Sequence, residues 1–189
     1  NEIYPAGFDT WVNVERVASR LEGASMPGHF RGVTTVVAKL FNIVRPDRAY
    51  FGQKDAQQVQ VIRRMTADLN LGVEMVVLPT IREPDGLAMS SRNAYLNPQE
   101  RQAAPVVYRS LCQAQRMYSQ GERKAASIKE AMRDLIQAEP MAHLEYVSIA
   151  DPDALDELDL IQGTALVSLA VRIGKTRLID NIVLGSEGL

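Results

Sequence analysis

Cysteine is nearly absent: Cys112 is the only one in 189 residues. A single thiol closes no intramolecular disulfide and builds no multi-cysteine zinc site. It fits a reducing compartment. Histidine is equally scarce, and His29 and His143 form no metal-ligand pair at helical spacing. Aromatic residues make up 6%, and the formal net charge is only -2. Neither half carries a basic field: residues 1–80 hold 9 basic and 8 acidic side chains, residues 81–189 hold 12 and 15. That disfavours a general nucleic-acid or membrane-surface binder. No apolar run approaches the ~18 residues of a membrane span. The opening Asn1-Glu2-Ile3-Tyr4-Pro5 has neither the basic start nor the apolar core of a secretory leader. No internal repeat or low-complexity tract is visible.

What is present has globular proportions, 46% hydrophobic and 23% charged. The length allows one domain or two small ones with a sizeable core. Val14, Val17, Ala18 and Leu21 predict a helix over Trp11 to Gly23, with Gly23 as its stop. A Pro/Gly-punctuated loop from Ser25 to Gly32 follows. Val33, Val36, Val37, Leu40, Phe41 and Val44 then recur at helical spacing up to Arg45-Pro46. Residues 48–52 read as a strand, Asp55 to Leu69 as a helix, and Val73 to Leu78 as an apolar strand covered on both faces. Asp55 with Gln58 resembles a capping box. Strand, helix, strand in that span is a βαβ unit, which implies a parallel sheet.

After Pro79 the pattern changes. Asn97-Pro98-Gln99-Glu100 opens one long helix closed by Gly121, and a second helix runs to Pro140. Strands are expected at 143–149, 164–173 and 177–184, the last two joined by a hairpin at Gly174. The rear is therefore two helices with an antiparallel sheet, an α+β layer. Gly174-Lys175-Thr176 looks like the tail of a phosphate-binding P-loop. That motif needs a glycine where Leu169 stands, and a helix where a strand follows.

Three stretches can carry chemistry. Phe51-Gly52-Gln53-Lys54-Asp55-Ala56-Gln57-Gln58 lies where a parallel strand gives way to a helix, the usual ligand position of open α/β sheets. Free N–H groups at the helix start and the Lys54 ammonium suit phosphate, and Asp55 can accept from ribose hydroxyls. The plainer alternative is a βα turn with a solvated lysine and a capping aspartate. Met89-Ser90-Ser91-Arg92-Asn93 offers two hydroxyls and a guanidinium fork, able to hold a polyphosphate. Its alternative is a polar linker whose serines cap a turn. Pro27-Gly28-His29-Phe30-Arg31-Gly32 contains a lone histidine, more naturally a structural residue than a base.

In this order and spacing, these stretches resemble the pantothenate synthetase (pantoate–β-alanine ligase) family, and Arg177-Leu178-Ile179-Asp180-Asn181 matches as well. The resemblance implies a partial Rossmann-like nucleotidyltransferase domain with a parallel sheet over residues 1–80. A smaller α+β domain over 81–189, with helices on an antiparallel sheet, would close over ATP. It also implies a ligase of coenzyme A precursor biosynthesis: pantoate and ATP give a pantoyl adenylate, and β-alanine then gives pantothenate and AMP. Cytoplasmic homodimers using Mg²⁺, with no nucleic-acid or membrane partner, are expected.

Carried over from the family, Lys54 contacts the ATP phosphates and stabilises charge during adenylation. Gly52 and Asp55 bind ribose, and Gln58 hydrogen-bonds pantoate. Phe51, Val33, Val36, Val37 and Leu40 wall the pantoate pocket. The Ile81 backbone meets adenine, and Met89, Ser90, Ser91 and Arg92 form the ATP loop. No protein metal ligands are expected. Two departures stand out: Met26 replaces the family's usual arginine, and the opening strand with its His-x-Gly-His turn is absent. The chain therefore reads as the rear two-thirds of such an enzyme, inactive alone. A non-catalytic assembly module is the alternative, and an RNA-binding synthetase fragment is disfavoured.

Overall fold

The structure, a computed structural model, describes residues 2–185. Asn1 and residues 186–189, which the expected spans 1–80 and 81–189 include, lie outside the described residues. The chain divides into two compact units, Asn1–Leu78 and Pro79–Leu189.

The first unit is built on α2 (His29–Val44), which begins after Gly28 in a left-handed conformation and ends at Arg45, with Pro46 next. Its buried residues are Phe30, Thr34, Thr35, Ala38 and Phe41, of which only Phe41 belongs to the expected apolar stripe. Val33 and Val37 pack against Ala38, Phe41, Ile62 and Met65, whereas Leu40 and Val44 are exposed. The two threonines explain the rotation. Thr34 Oγ1 donates to the Val12 carbonyl at 2.6 Å, and Thr35 Oγ1 accepts from the Val12 amide at 3.0 Å. The helix thus satisfies both backbone groups of Val12, as a neighbouring strand would.

That capture overturns the helix expected over Trp11 to Gly23. The chain instead runs without helix or strand to a 3₁₀ turn at Val17–Ser19 and the short α1 (Leu21–Ser25). Gly23 is not a stop but a close approach within α1: a Cβ there would lie 1.7 Å from the Ala18 carbonyl oxygen. β1 (Arg48–Gly52) and β2 (Glu74–Leu78) pair in parallel across α3 (Ala56–Asp68), in register from Arg48↔Glu74 to Gly52↔Leu78. The βαβ unit is as expected. β2 is only half-buried, however, because its described sheet has two strands. The capping box of Asp55 and Gln58 does not form. A 3₁₀ turn at Gln53–Asp55 precedes α3, and the Asp55 side chain makes no capping bond.

In the second unit, α4 (Pro98–Ala103) opens with a complete capping box. Asn97 Oδ1 accepts from the Glu100 amide, and Glu100 Oε2 accepts from the Asn97 amide, both at 2.9 Å. The expected single long helix is two, since α5 (Val106–Ser119) starts afresh after Pro105. A proline has no N–H to give the carbonyl one turn back, and its ring crowds that turn. α6 (Ala125–Gln137) follows, then β3 (Ala142–Ala150), β4 (Ala165–Ile173) and β5 (Thr176–Leu184) in an antiparallel sheet of order β3-β4-β5. Leu111, Ile128, Met132 and Ile136 from the helices meet Ile149, Leu169, Val171 and Ile173 from the sheet in one buried cluster. Gly174-Lys175 is the hairpin turn between paired Ile173 and Thr176, so the lysine there serves no phosphate loop.

On the sheet, Glu145 lies between Arg172 Nη2 at 2.7 Å and Arg177 Nε at 2.6 Å. Burial alone would raise its carboxyl, yet the two guanidiniums, Arg177 first, hold it below the ordinary 4.5. A carboxylate lowered on folding adds stability above its unfolded pKa and loses it as pH falls through the folded value. Glu145→Gln should therefore cost about 1 kcal/mol at neutral pH and progressively less below pH ~4.5. Urea titrations at several pH values check this; an equal cost at pH 3 and pH 7 would contradict it.

Candidate functional site

The first group of candidates gathers where β1 runs into α3. β1 delivers Phe51 to the core beside Val33 and Val37, and leaves Gly52 exposed at the strand's end. The 3₁₀ turn then sets Lys54 and Asp55 ahead of the first turn of α3. The Lys54 side chain is only 17% exposed, and its Nζ stands 3.9 Å from Asp55 Oδ1. Neither half of the plainer alternative holds: the lysine is not solvated, and the aspartate does not cap. Holding a cation at a helix start opposes the helix dipole, so this arrangement favours an anion in front of it. Gln58 lies one turn on, half-buried. Val36 and Leu40 lie outside the core cluster that holds Val33, Val37 and Phe51, and Leu40 is exposed.

Gln57, passed over by sequence reasoning, fixes this turn. Its Nε2 donates to the Val17 carbonyl at 2.8 Å and the Arg20 carbonyl at 2.7 Å, and its Oε1 accepts from the Glu22 amide at 2.9 Å. All its polar atoms are spent on the backbone between Val17 and Glu22. A glutamine in a polar run gives no sign of this. The cavities beside Lys39 and Asn42 (about 450 Å³) and beside Gly28 (about 220 Å³) are lined by none of the expected site residues.

The second group belongs to a small hairpin. The Met89 amide donates to the Ile81 carbonyl at 2.9 Å and the Glu83 amide to Leu87 at 2.8 Å, with Arg82 bridging Ala88 between them. This brings Ile81 and Met89 side by side with both side chains outward, while Leu87 and Ala88 are buried. Ser90 accepts from the Arg92 amide at 3.2 Å and caps the 3₁₀ turn Ser91–Tyr95, so for Ser90 the turn-capping alternative also holds. Ser91 and Arg92 are exposed, and Arg92 makes no ion pair among the described residues. Asn93 Nδ2 donates to the Ala88 carbonyl at 3.1 Å. Asn93 Oδ1 and Thr80 Oγ1, flanking the hairpin in sequence, are buried without a hydrogen-bond partner among the described residues.

The hairpin is pinned at both ends of its turn. Arg82 grips Asp180 on β5 with two prongs, Nη1–Oδ2 at 2.6 Å and Nη2–Oδ1 at 3.1 Å, and its Nη1 also donates to the Gly86 carbonyl at 3.1 Å. The guanidinium lies 4.1 Å from the Tyr108 ring centre. Asp85 pairs with Arg101 of α4 at 2.5 Å, and that hydrogen bond holds the Asp85 carboxyl below its ordinary range. Arg82 and Tyr108 were not singled out from sequence. The available signal was Asp180, the one carboxylate in the β5 strand.

A family model described as Pantoate-beta-alanine ligase matches residues 1–183. Among curated relatives, the pantothenate synthetase of Roseiflexus castenholzii is 64% identical over 97% of this chain and 66% of its own length. That of Herpetosiphon aurantiacus is 61% identical over 97% and 67%. Among solved structures, pantothenate synthetase from Thermus thermophilus superposes with a TM-score of 0.92 at 47% identity, covering 96% of this chain and 66% of that one. A Francisella tularensis pantoate-beta-alanine ligase, complexed with beta-gamma ATP and beta-alanine, superposes with a TM-score of 0.73 at 32% identity, over 96% and 60%. The chain thus spans about two thirds of the length of the relatives it matches.

Gln57→Leu should strand the Glu22 amide and the Val17 and Arg20 carbonyls, costing roughly 2–4 kcal/mol. Urea denaturation with amide exchange at Glu22 checks it; an unchanged exchange rate would show that Gln57 does not hold this segment.

Proposed function

The chain belongs to the pantoate-beta-alanine ligase family, and from that premise we propose that it carries the main part of an ATP-dependent pantoate–β-alanine ligase. A pantoate carboxylate oxygen attacks the α-phosphorus of ATP, the bond to the β-phosphate oxygen breaks, and pyrophosphate leaves. The amine of β-alanine then attacks the acyl carbon of the pantoyl adenylate, the carbon–oxygen bond to AMP breaks, and the nitrogen loses a proton. The observation that carries this reading is the largely buried Lys54, set with Asp55 in the 3₁₀ turn where β1 gives way to α3, the end of a parallel strand at which open α/β sheets bind ligands. Further support comes from the ATP and β-alanine complex of the Francisella relative.

In this reading Lys54 meets the charge that grows on the phosphates. Gly52 and Asp55 receive the ribose, Gln58 binds pantoate, and Phe51, Val33, Val36, Val37 and Leu40 form its apolar wall. Ile81 and Met89 border adenine. Ser90 holds the turn from which Ser91 and Arg92 reach the phosphate oxygens. Among the described residues no three His, Cys, Asp or Glu side chains cluster to hold a metal ion. The chain's own donors do not fit a dedicated magnesium cage, so magnesium is proposed to arrive on the triphosphate, and no step is routed through it. Among the described residues no helix is long and apolar enough to cross a membrane. The proposal includes a homodimeric enzyme in a cytoplasmic setting, acting on small molecules with no nucleic-acid partner.

The test uses a completed enzyme, this chain joined to the part of the Roseiflexus castenholzii relative that it does not cover. Pyrophosphate release from ATP and pantoate should be followed by pantothenate formation once β-alanine is added. Lys54→Ala should slow pyrophosphate release ~100-fold or more and leave the melting temperature nearly unchanged. A large melting shift with a mild rate change would give Lys54 a structural role instead. Arg92→Ala should cost about 2–4 kcal/mol of transition-state stabilisation, and Arg92→Lys should recover little of it because the fork is lost. Wild-type rates in both Arg92 variants would remove that residue from the site.

A further inference from the structure

The Asp180 carboxylate is almost completely enclosed, with 1% of its side chain exposed. A carboxylate so placed requires a partner, and Arg82 supplies both prongs. Stability alone does not explain the choice, because well-packed apolar side chains of similar size commonly serve a fold as well as a buried ion pair. What the pair adds is direction. Arg82 stands at the bridge position opposite Ala88, and the next amide, at Met89, bonds the Ile81 carbonyl. Ala88 in turn holds Asn93 through its carbonyl, and Ser90 holds the Arg92 amide. Gly86 closes the other side: at φ +89°, a Cβ there would stand 2.0 Å from the Tyr108 ring on which Arg82 lies. An unbroken run of contacts therefore leads from β5, through Arg82 and the hairpin, to the backbone that carries Arg92.

We propose that Arg82 and Asp180 are a positioning pair for the adenylation site: their enclosed two-pronged contact fixes the Ile81–Met89 hairpin so that Ser91 and Arg92 are presented to the triphosphate. Neither residue touches substrate in this scheme; both act through Arg92. The inference rests on the reading of Met89 to Arg92 as the ATP loop, and its test separates the two.

In the 189-residue chain itself, Asp180→Asn and Arg82→Lys are compared with wild type by amide hydrogen exchange. Exchange at Met89 and Arg92 should quicken about tenfold or more, with Leu169 and Val171 of β4 changing less than about twofold. No change at Met89 and Arg92, or equal acceleration throughout β4, overturns the proposal. In the completed enzyme, Asp180→Asn should lower kcat for pyrophosphate release about tenfold while KM for pantoate moves less than about twofold. Added to Arg92→Ala, the same substitution should cost less than about twofold more, because the residue it positions is gone. Losses that simply multiply would mean a general structural role, and would sink the proposal. If the wild-type completed enzyme releases no pyrophosphate from ATP and pantoate, the ligase reading fails. The exchange arm then decides by itself whether the pair fixes the hairpin.

Discussion

The second unit depends on one enclosed charge. Asp180 sits on β5 in register with Leu169, on the side of the sheet that packs against the helices. Leaving its carboxylate unpaired there would cost several kcal/mol. The segment that brings the compensating guanidinium is consequently not free to wander. Once Arg82 is docked, the Asp85-Gly86 turn falls against Tyr108 and Arg101, and Leu87 and Ala88 enter the core. The Ile81–Met89 stretch is thus a hairpin held on three sides. Along its outer edge, Ile81, Met89, Ser91 and Arg92 stay exposed.

The first unit solves a similar problem with neutral groups. The irregular chain through Val12 and the turn through Val17 to Glu22 have backbone groups that no neighbouring strand satisfies among the described residues. Thr34, Thr35 and Gln57 satisfy them from helices. Side chains thus take the place of a sheet ladder, and this is why the helical periodicity of Val14, Val17, Ala18 and Leu21 misleads. Periodicity reports where apolar groups recur; it does not report that a buried glutamine elsewhere has claimed the carbonyls a helix would need. The same blindness misplaced the buried face of α2, because threonine counts as polar in an apolar stripe.

Where local chemistry decides structure, the sequence was legible. Asn97 and Glu100 form the capping box their spacing implies, and the alternation around Gly174 makes the hairpin it implies. The strand, helix and strand from Arg48 to Leu78 pair in parallel as the apolar runs suggest. Pro105 was equally legible in principle, being a break that a single-helix reading ignored. At the candidate site, residue types and spacing were enough to single out Lys54 and the Ser90-Ser91-Arg92 run. They could not reveal that Lys54 is mostly enclosed or that Asp55 leaves α3 uncapped. Nor could they pair Arg82 with a carboxylate 98 positions away in the chain.

Both candidate groups also share an electrostatic feature that their separate folds do not require. Lys54 lies in a 3₁₀ turn in front of a helix whose first amides already carry positive potential, and the aspartate beside it stands at the edge of ion-pair distance. Arg92 is the second residue of the 3₁₀ segment Ser91–Tyr95, exposed and without an ion pair among the described residues. At Lys54 the amides at the start of α3 carry the same sign as the ammonium, and Asp55 at the N-cap carries the opposite one. A polyanion reverses the sign of the argument: the repulsion that costs a little in its absence becomes attraction already oriented before it binds. Under the proposed function, the triphosphate is the polyanion that these two cations meet.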